Sequence, residues 1–538
     1  MPSLLLRHVR PLQFRTRTEL GRLRAAGAVP ASAHPSTTEL GRNPVDLRIV
    51  NGVVTELGPH LEHRGEALLD AEGALVIPGL WDAHAHLDLE AARRARLDTT
   101  ATRCAEEALQ LVAQAMAALP PQAALPTVQG FGHRLANWPR VPTVAELDAV
   151  TGEVPTVLIS GDVHSGWLNS AALRLLGLPT ATVQDPGAPM REDPWFAVLD
   201  RLDEIPGTRQ LRESGYARLL PDLLARGLTG VTDMAWSDGP EDWPRRLESM
   251  QAQGTRPAVL PRIRVAVYRD KLERWITSGL RTGDTLPGSP AQGIITQGPL
   301  KVIADGSMGT ASAHMCEPYP AALGTDHPYG VVNISRDELT ELMQHAHQAG
   351  YEAAIHAIGD AAVEDVAAAF AASGAKGRLE HAQLLPRDSQ RPGSALSTLV
   401  SCGVELSVQP AHLIDDWQAV GRVWPGLEQR TYAFADMLRG GALLALGSDA
   451  PVAPLDPWLA MSAAVGRSTP DGQVWSLDQR LTPEEALAAS VNGAGPVGVG
   501  SGSDLVLLNT DPLGLEAPEL AQLRPAATIV AGEVAYLS

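Results

Sequence analysis

Lysine is almost missing from this 538-residue chain: only Lys271, Lys301 and Lys376 occur, so arginine supplies nearly all of the 43 basic residues. Acidic residues outnumber them at 62, for a formal net charge of −19. That sign repels a phosphate backbone, and nucleic acid is not expected as a partner. Cysteine is scarce as well. Cys104, Cys316 and Cys402 lie too far apart in sequence for a paired framework or a C-x-x-C metal knuckle, which fits a reducing, cytoplasmic setting. Long apolar runs are absent: Leu4–Leu6 is broken at once by Arg7 and Arg10, too short for a signal segment, and nowhere do about 18 apolar residues follow one another. No membrane association is expected. Phe and Tyr are few, at 5 and 7 against 11 Trp, which hints at a pocket for an apolar or aromatic group, with Trp138, Trp167 and Trp195 as candidates.

What the chain does have is the material of a large core, with 44% hydrophobic and 20% charged residues, which excludes disorder for most of it. Short Val/Ile/Leu runs alternate with Ala-rich helical stretches, the pattern of parallel strands with crossover helices. Eight runs stand out: Leu75–His86, Gly227–Met234, Pro261–Tyr268, Pro299–Ala304, Tyr351–His356, Gly377–His381, Gly403–Gln409 and Ala442–Gly447. Eight is the number that closes a (β/α)₈ TIM barrel, so the fold class is α/β. Strand-like segments at the ends, Val45–Leu57 and Leu68–Leu75 with Asp504–Leu508, Thr528–Val530 and Glu533–Leu537, are expected to pair into one small β-sandwich domain. The resulting layout is residues 1–75 with 498–538 as the composite β-domain and 76–497 as the barrel. The stretch 87–221 after barrel strand 1 is too long for a loop and is expected to be an inserted subdomain. Pro-, Ala- and Ser-rich Ala25–Pro35, together with Pro186–Asp193, reads as surface loop.

His84-Ala85-His86 ends the first strand, where residues two apart share a face and both rings can meet one ion. His345-Ala346-His347 has the same spelling, but it sits in a helical stretch, where positions two apart diverge by about 200°. It is expected to face solvent. His356, His381 and Asp449 each fall at or just past the carboxyl end of a strand, the end where barrels of this kind place their chemistry. Imidazoles with a carboxylate and no thiolate set suit zinc or another borderline divalent ion. Lys301 feeds the same rim, and a lysine with a depressed pKa can capture CO₂ as a carbamate, which arginine cannot.

Pro78-Gly79-Leu80-Trp81-Asp82-Ala83-His84-Ala85-His86, Lys301 to Ser307, His356 to Asp360, Glu380-His381-Ala382-Gln383 and Gly447 to Pro451 resemble, in order, the motifs of the amidohydrolase superfamily. They are most similar to its YtcJ-like branch, which includes N-substituted formamide deformylases. Asp162, His164 and Trp167 stand in an insertion motif that resembles the same branch.

The resemblance implies His84, His86 and Asp449 around one metal, His356 and His381 around a second, and Lys301 bridging both as the carbamate; related subtypes use a single ion. The implied activity is hydrolysis of a non-peptide carbon–nitrogen bond in a small molecule by a metal-held hydroxide, with Asp449 as general base and zinc as the expected metal. His412, after the seventh strand, is a candidate for touching substrate or stabilising an oxyanion. Asp162, His164 and Trp167 are candidates for lining the pocket, and Asp305 for orienting a ligand. Two alternatives stay open, a one-metal deaminase of a heterocycle or amine and a silent small-molecule-binding relative. A homodimer is the default expectation.

Overall fold

The computed structural model describes residues 3–28, 43–119, 127–135, 138–161, 163–180, 187–236, 239–291, 293–469 and 472–538. At its centre eight parallel strands follow one another around a barrel: β1 Leu80–Ala85, β2 Leu228–Asp233, β3 Arg262–Tyr268, β4 Ile295–Ile303, β5 Ala353–Ala357, β6 Gly377–His381, β7 Glu405–Val408 and β8 Leu444–Leu446. Each pairs in parallel with the next in this order, so the (β/α)₈ expectation is met. Closure between β8 and β1 comes beyond the end of β8, through the bridge of Ala85 with Ala450. There the Asp449 N–H donates to His84 O at 2.7 Å and the His86 N–H to Ala450 O at 2.8 Å.

The continuous apolar run Leu75–His86 is not one strand. Pro78-Gly79 breaks it, and Leu75–Pro78 leaves the barrel to pair antiparallel with Leu505–Leu508. The two halves serve different sheets because Pro has no N–H to extend a ladder and Gly79 passes so close to Thr229 that a Cβ would collide with its side chain. Leu4–Leu6 lies within a strand, Ser3–Pro11. That strand joins the two ends of the chain: its first part pairs with Val45–Val50 and Ala67–Asp70, its last residues with Leu75–Pro78. With Val53–Gly58, Ala527–Val530 and Glu533–Leu537 it completes an eight-stranded sheet folded around Leu4, Leu6, Ile49, Val76, Leu505 and Ile529. Most of the Ala25–Pro35 stretch lies outside the described residues.

Between β1 and β2 the chain builds a five-stranded sheet of Leu97–Asp98, Val128–His133, Thr156–Ser160, Ser165–Leu168 and Met190–Arg191. Met190–Arg191, which the sequence suggests is loop, pairs with Ser165 and Gly166, and a helix, Glu192–Leu199, follows directly. Helices Leu87–Ala95 and Thr208–Ala225 pack together at the base of this insertion; a Cβ on Gly215 would strike the carbonyl of Ala91, so only glycine allows the contact. Among the described residues no helix is long and apolar enough to cross a membrane.

Candidate metal centre

Strand alternation places Asp82, His84 and His86 along one face of β1. Asp82 does not reach the rim. Its carboxylate accepts the N–H of His84 at 3.0 Å and that of Ser448 at 3.1 Å, so it ties the histidine strand to the segment that carries Asp449. Burial raises the Asp82 pKa to about 6. Gly447 makes the close approach feasible, since a Cβ there would sit 2.7 Å from the backbone nitrogen of His84. Two residues on, Asp449 adopts φ 56°, a left-handed conformation costly for an aspartate, and turns back over the barrel mouth.

Register aligns His356, Glu380 and Ser407 in one row across β5, β6 and β7, and Lys301 precedes the β4 member of that row by two. Such a row points one way, here into the barrel. His381 follows Glu380 and by alternation would face out. A φ of 74° at His381 breaks the alternation at the strand end, and its ring comes to 4.9 Å from that of His84 and 4.5 Å from that of His356, centroid to centroid.

Glu380 Oε2 accepts from His84 Nδ1 at 2.8 Å, with both side chains wholly buried. That bond fixes the tautomer and leaves the Nε2 lone pair toward the mouth. Nε2 of His84 is buried without a hydrogen-bond partner, and it lies 3.3 Å from Asp449 Oδ1. His86 Nε2 is 3.3 Å from the same oxygen. Ligand atoms of His84, His381 and Asp449 all fall within 4.8 Å of one another. An imidazole nitrogen and carboxylate oxygens that crowd together below the surface without bonding one another are what a divalent ion would satisfy, so the donor set fits a metal.

At His84, burial and Lys301 pull the pKa down, but the carboxylates of Glu380 and Asp449 outweigh them and raise it; the imidazoles of His356 and His381 agree with metal chemistry. Burial pushes the His356 pKa down to about 3 and that of His381 well below its ordinary value, which keeps both imidazoles neutral as metal ligands must be. Burial would raise Asp449, but His84 and His86 outweigh it and hold the carboxylate well below its usual range. Burial likewise favours neutral Glu380, yet His84, Arg378 and Lys301 keep its pKa at about 2. Lys301 is buried and its pKa is lowered chiefly for that reason, with Glu380 and Asp449 pulling the other way. His84, His86, His356, His381 and Asp449 therefore lie close together, and Lys301 is within electrostatic reach of Asp449.

Asp305 locks the neighbouring loops. Its carboxylate accepts the N–H groups of Ile358, Gly359 and His314 at 3.0, 2.9 and 2.9 Å, and lies 3.4 Å from His356 Nε2. His412 is buried with Nε2 3.7 Å from Asp449 Oδ2.

The insertion is less simply read. Asp162 lies outside the described residues. Trp167 is fully buried in the insertion core beside Trp138, and its indole N–H donates to Thr143 O at 2.9 Å. Trp138 and Trp195 are buried too, with indoles bonded to the carbonyls of Thr102 and Val163. These three indoles pack inside the insertion, where a large ring with a satisfied N–H gains from full burial. His164 is half-buried and stacks edge-on to Phe196 at 5.2 Å; the string continues through Trp236 to Tyr268 at the end of β3. Phe196, Trp236 and Tyr268 carry no sequence signal that marks this ring contact. Neither do the roles of Asp82 and Glu380, which stand inside the motifs but act through partners remote in sequence.

Comparison with known proteins places the chain in a family. The chain is 26% identical to an N-substituted formamide deformylase of Arthrobacter pascens over 530 residues, covering 91% of this chain and 94% of that protein. It is 25% identical to the putative amidohydrolase YtcJ of Bacillus subtilis (strain 168) over 498 residues, 87% and 90% of the two chains. The crystal structure of an uncharacterized metal-dependent hydrolase from Pyrococcus horikoshii OT3 superposes with a TM-score of 0.74 at 25% identity, over 96% of this chain and 99% of that one. The amidohydrolase family profile (Amidohydro_3) matches residues 67–536, and the chain belongs to that family.

Proposed function

We propose that this amidohydrolase hydrolyses a non-peptide carbon–nitrogen bond, in an amide, formamide or related small molecule. The observation that carries the reading is the convergence of His84, His381 and Asp449 around an unbonded, buried His84 Nε2. His84, His86 and Asp449 would hold one ion, His356 and His381 a second, and Lys301, as a carbamate, would bridge them. Zinc is the expected metal. When bound, such an ion supplies Lewis acidity and lowers the pKa of water to about 7.

The chain's own residues then handle the protons. Asp449, kept ionised by its histidine neighbours, takes the proton of the attacking water. It returns that proton to the nitrogen as the carbon–nitrogen bond breaks, and regains its charge. Glu380 and Asp82 do not touch the reaction; they hold His84 and the β1–β8 seam in place.

A second reading, a one-metal deaminase of a heterocycle or amine, is favoured by the fact that the tight ligand group found among the described residues contains three side chains. A zinc-loaded preparation screened against amides, N-formyl amines, lactams, carbamates, esters and aminated heterocycles tests both. Hydrolysis of N-acyl or N-formyl amines, lost with a chelator and restored by zinc, is the expected result. Ammonia release from a heterocycle with one equivalent of metal and unmodified Lys301 would favour the deaminase, and no turnover of any compound would contradict both.

A further inference from the structure

Asp449 uses its two oxygens differently. Oδ1 lies 3.3 Å from the Nε2 atoms of both His84 and His86, while Oδ2 faces His412, whose Nε2 is 3.7 Å away. His412 is 7% exposed, and its Nε2 is buried with no hydrogen-bond partner. The ring is firmly placed: His412 closes the single turn Pro410–His412 after β7, its N–H donates to Gln409 O at 3.2 Å, and helix Leu413–Val423 begins at the next residue. One helical turn on, Asp416 accepts the hydroxyl of Tyr432 and lies within electrostatic reach of His412. An imidazole nitrogen set this deeply without a partner costs free energy in the resting protein, and a bound group that pairs with it offsets that cost.

Resting on the hydrolase reading, we infer that His412 is a catalytic residue for the leaving group: its Nε2–H donates to the nitrogen that departs. Oδ1 of Asp449 is engaged with the histidines of β1, so the proton bound for the leaving nitrogen is delivered from Oδ2, and that nitrogen must come beside His412. In a ground-state amide the nitrogen lone pair is delocalised into the carbonyl and accepts poorly. After water adds to the carbon the nitrogen becomes pyramidal and its lone pair can take the proton held by Asp449. As the carbon–nitrogen bond then lengthens, its electron pair gathers on nitrogen and accepts the His412 Nε2–H, a bond that forms only on the way to the transition state, the condition under which binding accelerates the chemical step. When the carbon–nitrogen bond breaks, that pair becomes the lone pair of the amine, which carries away the proton from Asp449, and acid, amine and ionised Asp449 remain. His412 gives up no proton overall.

The test compares His412→Phe with wild type, both zinc-loaded, on an alkylamine-derived amide and on the nitrophenyl ester of the same acid. The ester's leaving oxygen departs without protonation. The variant is expected to lose about 100-fold or more in kcat/KM on the amide but less than about tenfold on the ester, and its amide rates should depend more steeply on leaving-amine basicity. His412→Gln, which keeps an N–H donor, should recover part of the loss and covers the case in which the Phe variant fails to fold. Zinc content should match wild type in both, since His412 is not a ligand. Equal losses on amide and ester, or no loss, would overturn this inference alone. A wild-type protein inactive on every amide would overturn the hydrolase reading and this inference with it.

Discussion

Glu380 and His84, almost 300 positions apart in the chain, bond at 2.8 Å through Oε2 and Nδ1, and neither side chain reaches solvent. A carboxylate behind a metal-binding imidazole sets its tautomer and sharpens its donor strength, and losing such a partner typically weakens metal affinity about 10- to 100-fold. Glu380→Gln keeps the shape and removes the charge. Competitive zinc titration should show a weakening within that range; an unchanged dissociation constant would mean that Glu380 serves packing only.

Asp449→Asn should retain most of the metal, because the histidines remain, yet lose about 100- to 10,000-fold in kcat, the usual contribution of a positioned acid–base group. Metal content and steady-state rates measured on the same sample separate the two effects. Full activity in the variant would remove Asp449 from the proton path.

Lys301→Met should lower the metal content and abolish a carbamate carbon-13 signal seen when wild type is prepared with labelled bicarbonate. Burial favours the neutral amine that captures CO₂, whereas a thioether cannot replace it. A variant with wild-type metal content and no carbamate signal in either protein would leave Lys301 as a buried structural cation.

One contribution to acid stability is expected from the end domain. Arg48 sits between Glu66 and Glu56, 2.8 Å and 2.7 Å away. Burial pushes Glu66 up, but hydrogen bonds from the backbone and from Arg48 prevail and hold its pKa at about 2, below the ordinary 4.5. A value depressed by folding means stabilisation that is complete above pH 4.5 and fades as pH falls toward 2. Glu66→Gln should melt roughly 2–4 °C below wild type at neutral pH, with the gap closing near pH 2. A gap independent of pH would assign the loss to shape rather than charge.

Local chemistry makes much of the rim legible in the amino-acid sequence. The alternation that joins His84 to His86 is a property of a single strand, and the contrast with the second H-x-H holds: His345 and His347 lie on helix Arg336–Gln348, exposed, with His345 bonded to Glu273. Lys301, His356 and Asp449 stand out because barrel chemistry gathers at strand ends. What stays hidden depends on partners far away in the chain. Glu380 is an ordinary acidic residue until the barrel brings β1 and β6 together across its interior. Trp167 reads like a pocket residue because a large ring serves a pocket and a core equally well, and its bond to Thr143 depends on a residue 24 positions away. The positive φ of His381 leaves no trace in its side chain, although it decides where the ring points. The Leu75–His86 run misleads because hydrophobicity does not report that one apolar segment feeds two sheets.

The most direct measurement is an anomalous diffraction map from crystals grown with zinc. A peak bounded by His84, His381 and Asp449, lost when His84 is changed to Ala, is the expected result. Zinc bound elsewhere on the molecule with that position empty, or hydrolysis that continues undiminished in His84→Ala, would contradict the claim that these side chains build the reaction centre.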